Sequence, residues 1–331
     1  MCEHSYFLRY VLGLEDSSGK AAEMGTAFHK LAECLGRGKL HYQNTGETSC
    51  DVGDEYVGQI LVDDIFDNKC LSKIAKACHT YYSSLSDHSW NDKDIITIIS
   101  WANTMVNFQD GMFDPRKRTI AFIEKFFDIE IKKDWAKYDY KIGDTTVSGY
   151  LGIKGTIDLI EWVDDDTYEV CDYKTGKKPY NWATGKDKVL SDFQKDSQLL
   201  IYYYALRNLY PDKHFLFTVY YIVTGQPFTV GFDDRDYIKA EEMIRKRFEE
   251  IKKNQYPDLI SPTKEKRQSN FKCSKLCHFA KNNQPGTDIS ICEFFQNKVK
   301  ESSADEVMVE FGNINKLRNY QDGGGGKAEE K

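Results

Sequence analysis

The chain has 331 residues with 40% hydrophobic and 14% aromatic content, ample for a buried core, arranged as one large domain with insertions or two modest ones. A net charge of −7 excludes a protein that coats nucleic acid indiscriminately, although local basic stretches can still meet a phosphate backbone. No apolar run is long enough to span a bilayer and the start lacks a secretory pattern, so no membrane role is expected, and the cytoplasm of a cell or infected host is the expected location.

Residues 2–14 carry aromatic and aliphatic side chains at helical spacing, with Gly13 placed to end the helix. A second helix over 21–35 carries Gly25, His29 and Glu33, and the four-residue step puts His29 and Glu33 on one face, where either could reach a metal ion. Residues 40–115 read as an insertion: a polar loop through Gly58, then helical patterns over 56–67, 71–82 and 94–108, without evident chemistry. A strand is expected over 120–131 and a polar turn near 141–145.

Two β-branched and aromatic runs, 153–163 and 168–173, flank the acidic break Asp164-Asp165-Asp166 and predict a hairpin. Asp158 falls near the end of its first strand. Asp172 and Lys174, two residues apart on the second, share one face. If pairing brings Asp158 alongside, two carboxylates offer the hard oxygen ligands that Mg²⁺ or Mn²⁺ prefers, and the lysine can orient or help activate an attacking water. Taken alone, the triplet also fits an ordinary surface hairpin.

The loop over 175–190 carries lysines with Tyr180 and Trp182 interleaved, so Lys177 and Lys178 would meet a DNA backbone lying beside Lys174. The helix expected over 191–209 places Gln198 and Tyr202 one turn apart, able to hydrogen-bond a phosphate or a base. Strands over 215–223 and 228–232 follow, then a helix over 234–253 to cover the sheet. A second basic stretch runs over 264–281, and the chain is polar beyond about 300.

Nine cysteines in a chain expected in the cytoplasm point to buried thiols or metal ligation rather than disulfides. Cys34, Cys50, Cys70, Cys78 and Cys171 are scattered. Cys273, Cys277 and Cys292 cluster, and Cys2 opens the chain. Four thiolates suit an iron–sulfur cluster or zinc, His278 could replace one in a zinc site, and the absence of any metal there is the third alternative.

Gly155-Thr-Ile-Asp158 followed by Asp172-Tyr-Lys174 resembles the second and third motifs of the PD-(D/E)XK nuclease superfamily. Gly25-Thr-Ala-Phe-His29 is similar to the Gly-x-x-x-His motif of its RecB-like branch, and Gln198-Leu-Leu-Ile-Tyr202 to that branch's Gln-x-x-x-Tyr motif. The resemblance covers about residues 1–300, omitting most of 40–119. It implies an α/β, restriction-endonuclease-like fold, a mixed central sheet flanked by helices, with a helical insertion and a C-terminal cysteine-rich segment. The corresponding divisions are 1–40, N-terminal helices with the first cysteine and the histidine motif; 41–118, insertion; 119–256, nuclease core; 257–300, cysteine-rich segment; 301–331, polar tail.

The implied activity is metal-dependent hydrolysis of DNA, by exonuclease action on single strands or duplex ends. His29, Asp158, Asp172 and the Tyr173 carbonyl would hold Mg²⁺ or Mn²⁺, Lys174 would position water, and Gln198 and Tyr202 would contact the strand. Resemblance to AddB-type and CRISPR-associated iron–sulfur exonucleases implies a [4Fe–4S] cluster on Cys2, Cys273, Cys277 and Cys292, tying the two ends of the chain together. The chain lacks a phosphate loop, so unwinding would fall to a helicase or to another recombination or adaptation partner. Two other readings are a catalytically inactive nucleic-acid-binding scaffold on the same fold and a zinc-organised nucleic-acid-binding protein.

Overall fold

The computed structural model describes residues 3–15, 18–142, 145–181, 185–253, 273–274 and 277–312. They divide into two compact units, one of residues 18–129 and 152–244, the other of residues 1–17, 130–151 and 245–331. The division cuts across the segments expected from sequence, because residues 1–17 join the C-terminal unit while 18–40 and the insertion join the sheet.

The first unit is built on a five-stranded mixed sheet flanked by helices. Helix α1 spans Lys20–Thr45, α2 Lys69–Leu85 and α3 Asp92–Asn107; strand β1 spans Ile120–Glu130. Helix α1 runs ten residues past the expected end at 35, straight through Gly36 and Gly38. These glycines are there for packing: a Cβ on Gly36 would fall 2.4 Å from Ile123 Cδ1, and one on Gly38 2.5 Å from Ile65 Cγ1. Tertiary contact outweighs the cost of about 1 kcal/mol that glycine carries in a helix.

The helix expected over 56–67 does not form. Asp51 Oδ1 accepts from the Gly53 and Ile60 amides at 3.0 and 2.8 Å, and Asp54 Oδ1 from Tyr56 and Val57 at 3.0 Å each. Aspartates that bond their own following backbone favour turns over helix. By contrast, the helix expected over 94–108 forms as α3, starting two residues early at Asp92 because Asn91 accepts from the Lys93 amide at 3.0 Å and Asp94 from the Asn91 amide at 2.6 Å. The insertion is fastened to the segment before β1 by Arg116, 3% exposed. Its guanidinium reaches Asp114 at 2.8–3.1 Å, Asn68 Oδ1 at 2.7 Å and the Ile65 carbonyl at 3.1 Å.

Strands β2 (Lys137–Ile142) and β3 (Thr145–Tyr150) form a separate antiparallel pair in the second unit. The expected hairpin is β4 (Gly152–Trp162) with β5 (Thr167–Lys174), in the register Leu159–Cys171, Ile160–Val170, Glu161–Glu169 and Trp162–Tyr168. Helix α4 (Ser197–Leu209) then crosses over to β6 (His214–Tyr221), which runs parallel to β5, with Val219 beside Asp172 and Tyr221 beside Lys174. Parallel neighbours require such a crossover. Strand β7 (Gln226–Gly231) closes the order β7-β6-β5-β4-β1. One face packs on α1, α2 and α3 through Phe28, Leu31, Ile74, Met105, Cys171 and Tyr173; the other packs on α4 through Val170, Leu199, Tyr203 and Phe217.

Helix α5 spans Asp234–Lys253. In the second unit, α6 (Ile291–Glu301) and α7 (Ala304–Phe311) share a core with Phe7, Leu8, Leu12, Val147 and Phe279. Helix α7 forms in what reads as a polar tail because Ser303 caps it and Val307 and Met308 bury one face. Among the described residues no helix is long and apolar enough to cross a membrane.

Across β4 and β5, Glu161 lies opposite Glu169 and is 2% exposed, with Arg118 Nη1 3.1 Å from its Oε1. Burial pushes its pKa up to about 8; Arg118 opposes this and the nearby Glu169 adds to it. A raised carboxyl pKa gives stability that is whole below about pH 4.5 and is lost as pH rises through about 8. Glu161→Gln removes that loss. The melting temperature of the variant relative to the parent is expected to rise by several degrees between pH 5 and pH 9, on the order of 1–3 kcal/mol; a difference that stays flat with pH would contradict this.

Candidate active site

The site lies where β4 and β5 stop pairing, one step past Leu159 and Cys171. There the carbonyl ends of β5 and β6 meet the first turn of α4, a common place for a site in a sheet with a crossover helix. Two motif glycines permit the close approach. A Cβ on Gly25 of α1 would fall 2.8 Å from Thr175 Oγ1, just after Lys174, and one on Gly155 would fall 2.8 Å from the Phe127 ring.

Asp158 Oδ2 accepts from the Tyr173 amide at 2.9 Å and lies 3.2 Å from His29 Nδ1 on α1. Burial opposes protonation of His29, but its bond to Asp158 and the charge of both aspartates outweigh this and raise its pKa. Asp172 is 3% exposed. Its Oδ1 accepts from Lys174 Nζ at 2.9 Å and from Gln198 Nε2 at 3.1 Å. Its Oδ2 sits 2.7 Å from the same Nζ and meets no other donor among the described residues. Burial pushes the Asp172 carboxyl up to about 6; Lys174 pulls it back and Asp158 pushes it further.

Gln198 ties these groups together. Its Oε1 accepts from Lys174 at 3.1 Å, and its Nε2 donates also to the Tyr202 hydroxyl at 2.8 Å. That hydroxyl donates to the Thr156 carbonyl at 2.9 Å, and Tyr202 is buried. Gln198 thus meets the carboxylate, the lysine and Tyr202, while Tyr202 meets Gln198 and the Thr156 carbonyl. The Asp196 side chain, by accepting from the Gln198 amide at 3.0 Å, starts α4 at the residue that sets this alignment.

Other expected residues fall elsewhere. Glu33 is not directed at the aspartates: it pairs with Lys30 and, at 2.6 Å, with Arg37, in a cluster completed by Asp54. Lys178 pairs with Asp187 at 2.7 Å in the loop after β5, and Lys177 is exposed there. Tyr173, expected to act through its carbonyl, keeps its backbone at the site with its amide on Asp158, while its ring packs in the core and its hydroxyl donates to the Phe113 carbonyl at 3.1 Å.

Sequence reasoning missed Glu124. This β1 residue has φ of +46°, which breaks the strand's alternation. Burial pushes its carboxyl up to about 7, helped by the charges of Asp158 and Glu33 and opposed by His29 and Lys30. The sequence signal is slight, since Glu124 sits between Ile123 and Lys125 in a strand that also carries Asp128 and Glu130, and its left-handed backbone leaves no mark in the pattern.

The donor chemistry suits a hard cation: the carboxylates of Asp158 and Asp172 and the His29 imidazole, with the charge of Glu124 acting on Asp158. Among the described residues no three His, Cys, Asp or Glu side chains come together as a group that could hold a metal ion. Mg²⁺ commonly binds through one or two carboxylates and keeps several waters, so an open set fits it. Among the cysteines, Cys2 lies outside the described residues, Cys273 and Cys277 are half-buried and Cys292 is buried. His4 Nε2 donates to the Cys292 carbonyl at 2.9 Å, and Cys277 packs on the core that holds Phe7 and Cys292. The basic stretch over 264–281 lies mostly outside the described residues.

A comparison with curated proteins finds no match. The family model of the PD-(D/E)XK nuclease superfamily matches residues 1–281, taking in all the residues of this site, and the chain belongs to that superfamily.

Proposed function

We propose that the chain is a metal-dependent deoxyribonuclease of the RecB-like branch, acting as an exonuclease on single strands or duplex ends. The observation that carries this is the closed bonding of Asp172, Lys174 and Gln198 beside the Asp158–His29 pair, at the mouth of the sheet. Asp158, Asp172 and His29, with the Tyr173 carbonyl and Glu124, would hold Mg²⁺ or Mn²⁺. Bound there, the ion would polarise a phosphoryl oxygen and lower the pKa of a bound water.

The chain's own groups do the rest. Lys174, held between Asp172 and Gln198, presents its ammonium to the attacking water and to the charge that develops on phosphate. Gln198 and Tyr202 act as positioning residues that fix the lysine and the carboxylate in one rotamer each. Lys177 and the loop after β5 meet the strand backbone. A helicase or recombination partner supplies any unwinding.

In the same reading Cys2, Cys273, Cys277 and Cys292 hold a [4Fe–4S] cluster, supported by the sequence layout and by the bond from His4 to Cys292. Such a cluster would lower the entropy of the unfolded chain by closing a long loop.

The test is incubation of the anaerobically purified protein with end-labelled single- and double-stranded DNA in Mn²⁺, Mg²⁺ or EDTA, beside Lys174→Ala. Degradation that needs the metal and is lost in the variant is expected. Binding without cleavage under every metal would replace this reading with that of an inactive scaffold. Brown colour with matching iron and acid-labile sulfide is expected of the same sample; a colourless, zinc-bearing one would overturn the cluster.

A further inference from the structure

The insertion carries a groove of about 580 Å³ outside the site just described. One wall is a face of α2, with Lys73, Lys76 and Thr80 exposed at helical spacing; the other is the turn over 56–60. Tyr56, 55% exposed, and Tyr81 line it as a tilted pair, with ring centroids 6.2 Å apart at 58°. The described residues that line it include two lysines and no carboxylate, in a chain whose net charge is −7.

The turn that presents Tyr56 is built rather than loose. Asp54 Oδ1 accepts from the Tyr56 and Val57 amides, and its Oδ2 takes Lys30 Nζ at 2.8 Å. Gly58 has φ of +72°, and a Cβ on Gly53 would fall 1.9 Å from its carbonyl oxygen, so the turn needs glycine at both positions. Lys30 follows His29 on α1, and its ammonium lies 5.5 Å from the centroid of the Tyr56 ring. One helix thus carries a residue of the catalytic cluster and the cation that holds the aromatic turn.

We propose that this groove is a binding track for single-stranded nucleic acid, in which bases stack on Tyr56 and Tyr81 and phosphates lie on Lys73 and Lys76. The proposal rests on the nuclease reading and adds to it the path of the strand. Aromatic faces interleaved with lysines bind single strands without sequence preference, because every unstacked base has a π face and every linkage a charge. A duplex keeps its bases stacked and has no face to offer the tyrosines.

The experiment measures fluorescence anisotropy of a labelled 20-nucleotide oligothymidylate and of a blunt hairpin duplex, in EDTA, over a series of salt concentrations. Full-length parent, Tyr56→Leu, Lys76→Glu and Lys73→Glu/Lys76→Glu are compared after their melting temperatures are shown to match. About tenfold weaker single-strand binding is expected of Tyr56→Leu. The double reversal should lower the salt slope by about 1.4, at about 0.7 for each phosphate that is no longer neutralised. Hairpin binding should stay unchanged.

Parent-like single-strand binding by both the tyrosine and the lysine variants would overturn the track and leave the nuclease reading intact. Equal losses on strand and hairpin would overturn its restriction to single strands. A parent that binds and degrades no nucleic acid would overturn both readings together. The lysine variants sit on an exposed helix face, so the result does not hang on whether Tyr56→Leu folds.

Discussion

Replacing Asp172 by asparagine is expected to lower metal-dependent hydrolysis of a labelled strand by about a thousandfold or more, while the fold is kept. One tenfold step in rate is about 1.4 kcal/mol, so this asks the carboxylate for about 4 kcal/mol of transition-state stabilisation, in the range of a Lewis-acid contribution. The amide keeps the shape and an oxygen for Lys174 but removes the negative charge that would hold the ion. Because burial and Asp158 both oppose ionisation of Asp172, the neutral side chain relieves a cost in the folded state. The melting temperature at pH 8 should therefore equal or exceed that of the parent. Single-turnover assays with Mn²⁺, read beside the melting curve, check both parts. Retained activity would remove Asp172 from the metal, and a collapse in stability would make its role structural.

The second large effect falls on stability. Arg116→Ala leaves Asp114, 2% exposed, as a buried carboxylate without its guanidinium, and leaves the Ile65 carbonyl and Asn68 short of a donor. Breaking a buried pair from one side costs about 3–5 kcal/mol, which corresponds to roughly 10 °C in melting temperature for a unit of this size. Asp114→Asn/Arg116→Met, which removes both charges, should recover a good part of it. A loss of under about 1 kcal/mol in Arg116→Ala would mean that water reaches the carboxylate and that the insertion is held by its apolar core alone.

The parts of the site legible in the sequence are those set by short-range periodicity. The two-residue step from Asp172 to Lys174 and the four-residue step from Gln198 to Tyr202 put each pair on one face before any fold is known. The hairpin register that brings Asp158 alongside follows from the apolar runs on both sides of the acidic break. What those side chains touch was less legible. Gln198 and Tyr202 read as strand contacts; the crossover also brings Gln198 back over the end of β5, where it meets Asp172, Lys174 and the Tyr202 hydroxyl. Parallel pairing of β5 with β6 joins residues 47 apart, and no local pattern announces it.

The misses share a cause. Gly36 and Gly38 look like a helix end until Ile123 and Ile65 arrive to fill the space beside them. Residues 56–67 have helical spacing, but the aspartates that spoil it act through bonds to backbone amides two to nine residues on. Glu124 depends on a left-handed backbone step inside a strand. Each is a long-range contact or a special dihedral overriding a local preference.

The way the chain weaves between its two units constrains how it can be made. The units exchange the chain at residues 17–18, 129–130, 151–152 and 244–245, so neither is a contiguous piece that could be excised and expressed by itself. A ribosome delivers Phe7 and Leu8 about 270 to 300 residues before Phe279, Phe295 and Met308, which share their core. At about 5–20 residues per second the N-terminal segment waits roughly 15–50 s with its apolar face exposed. Pulse-labelled nascent chains should therefore protect the sheet unit from protease before the first dozen residues.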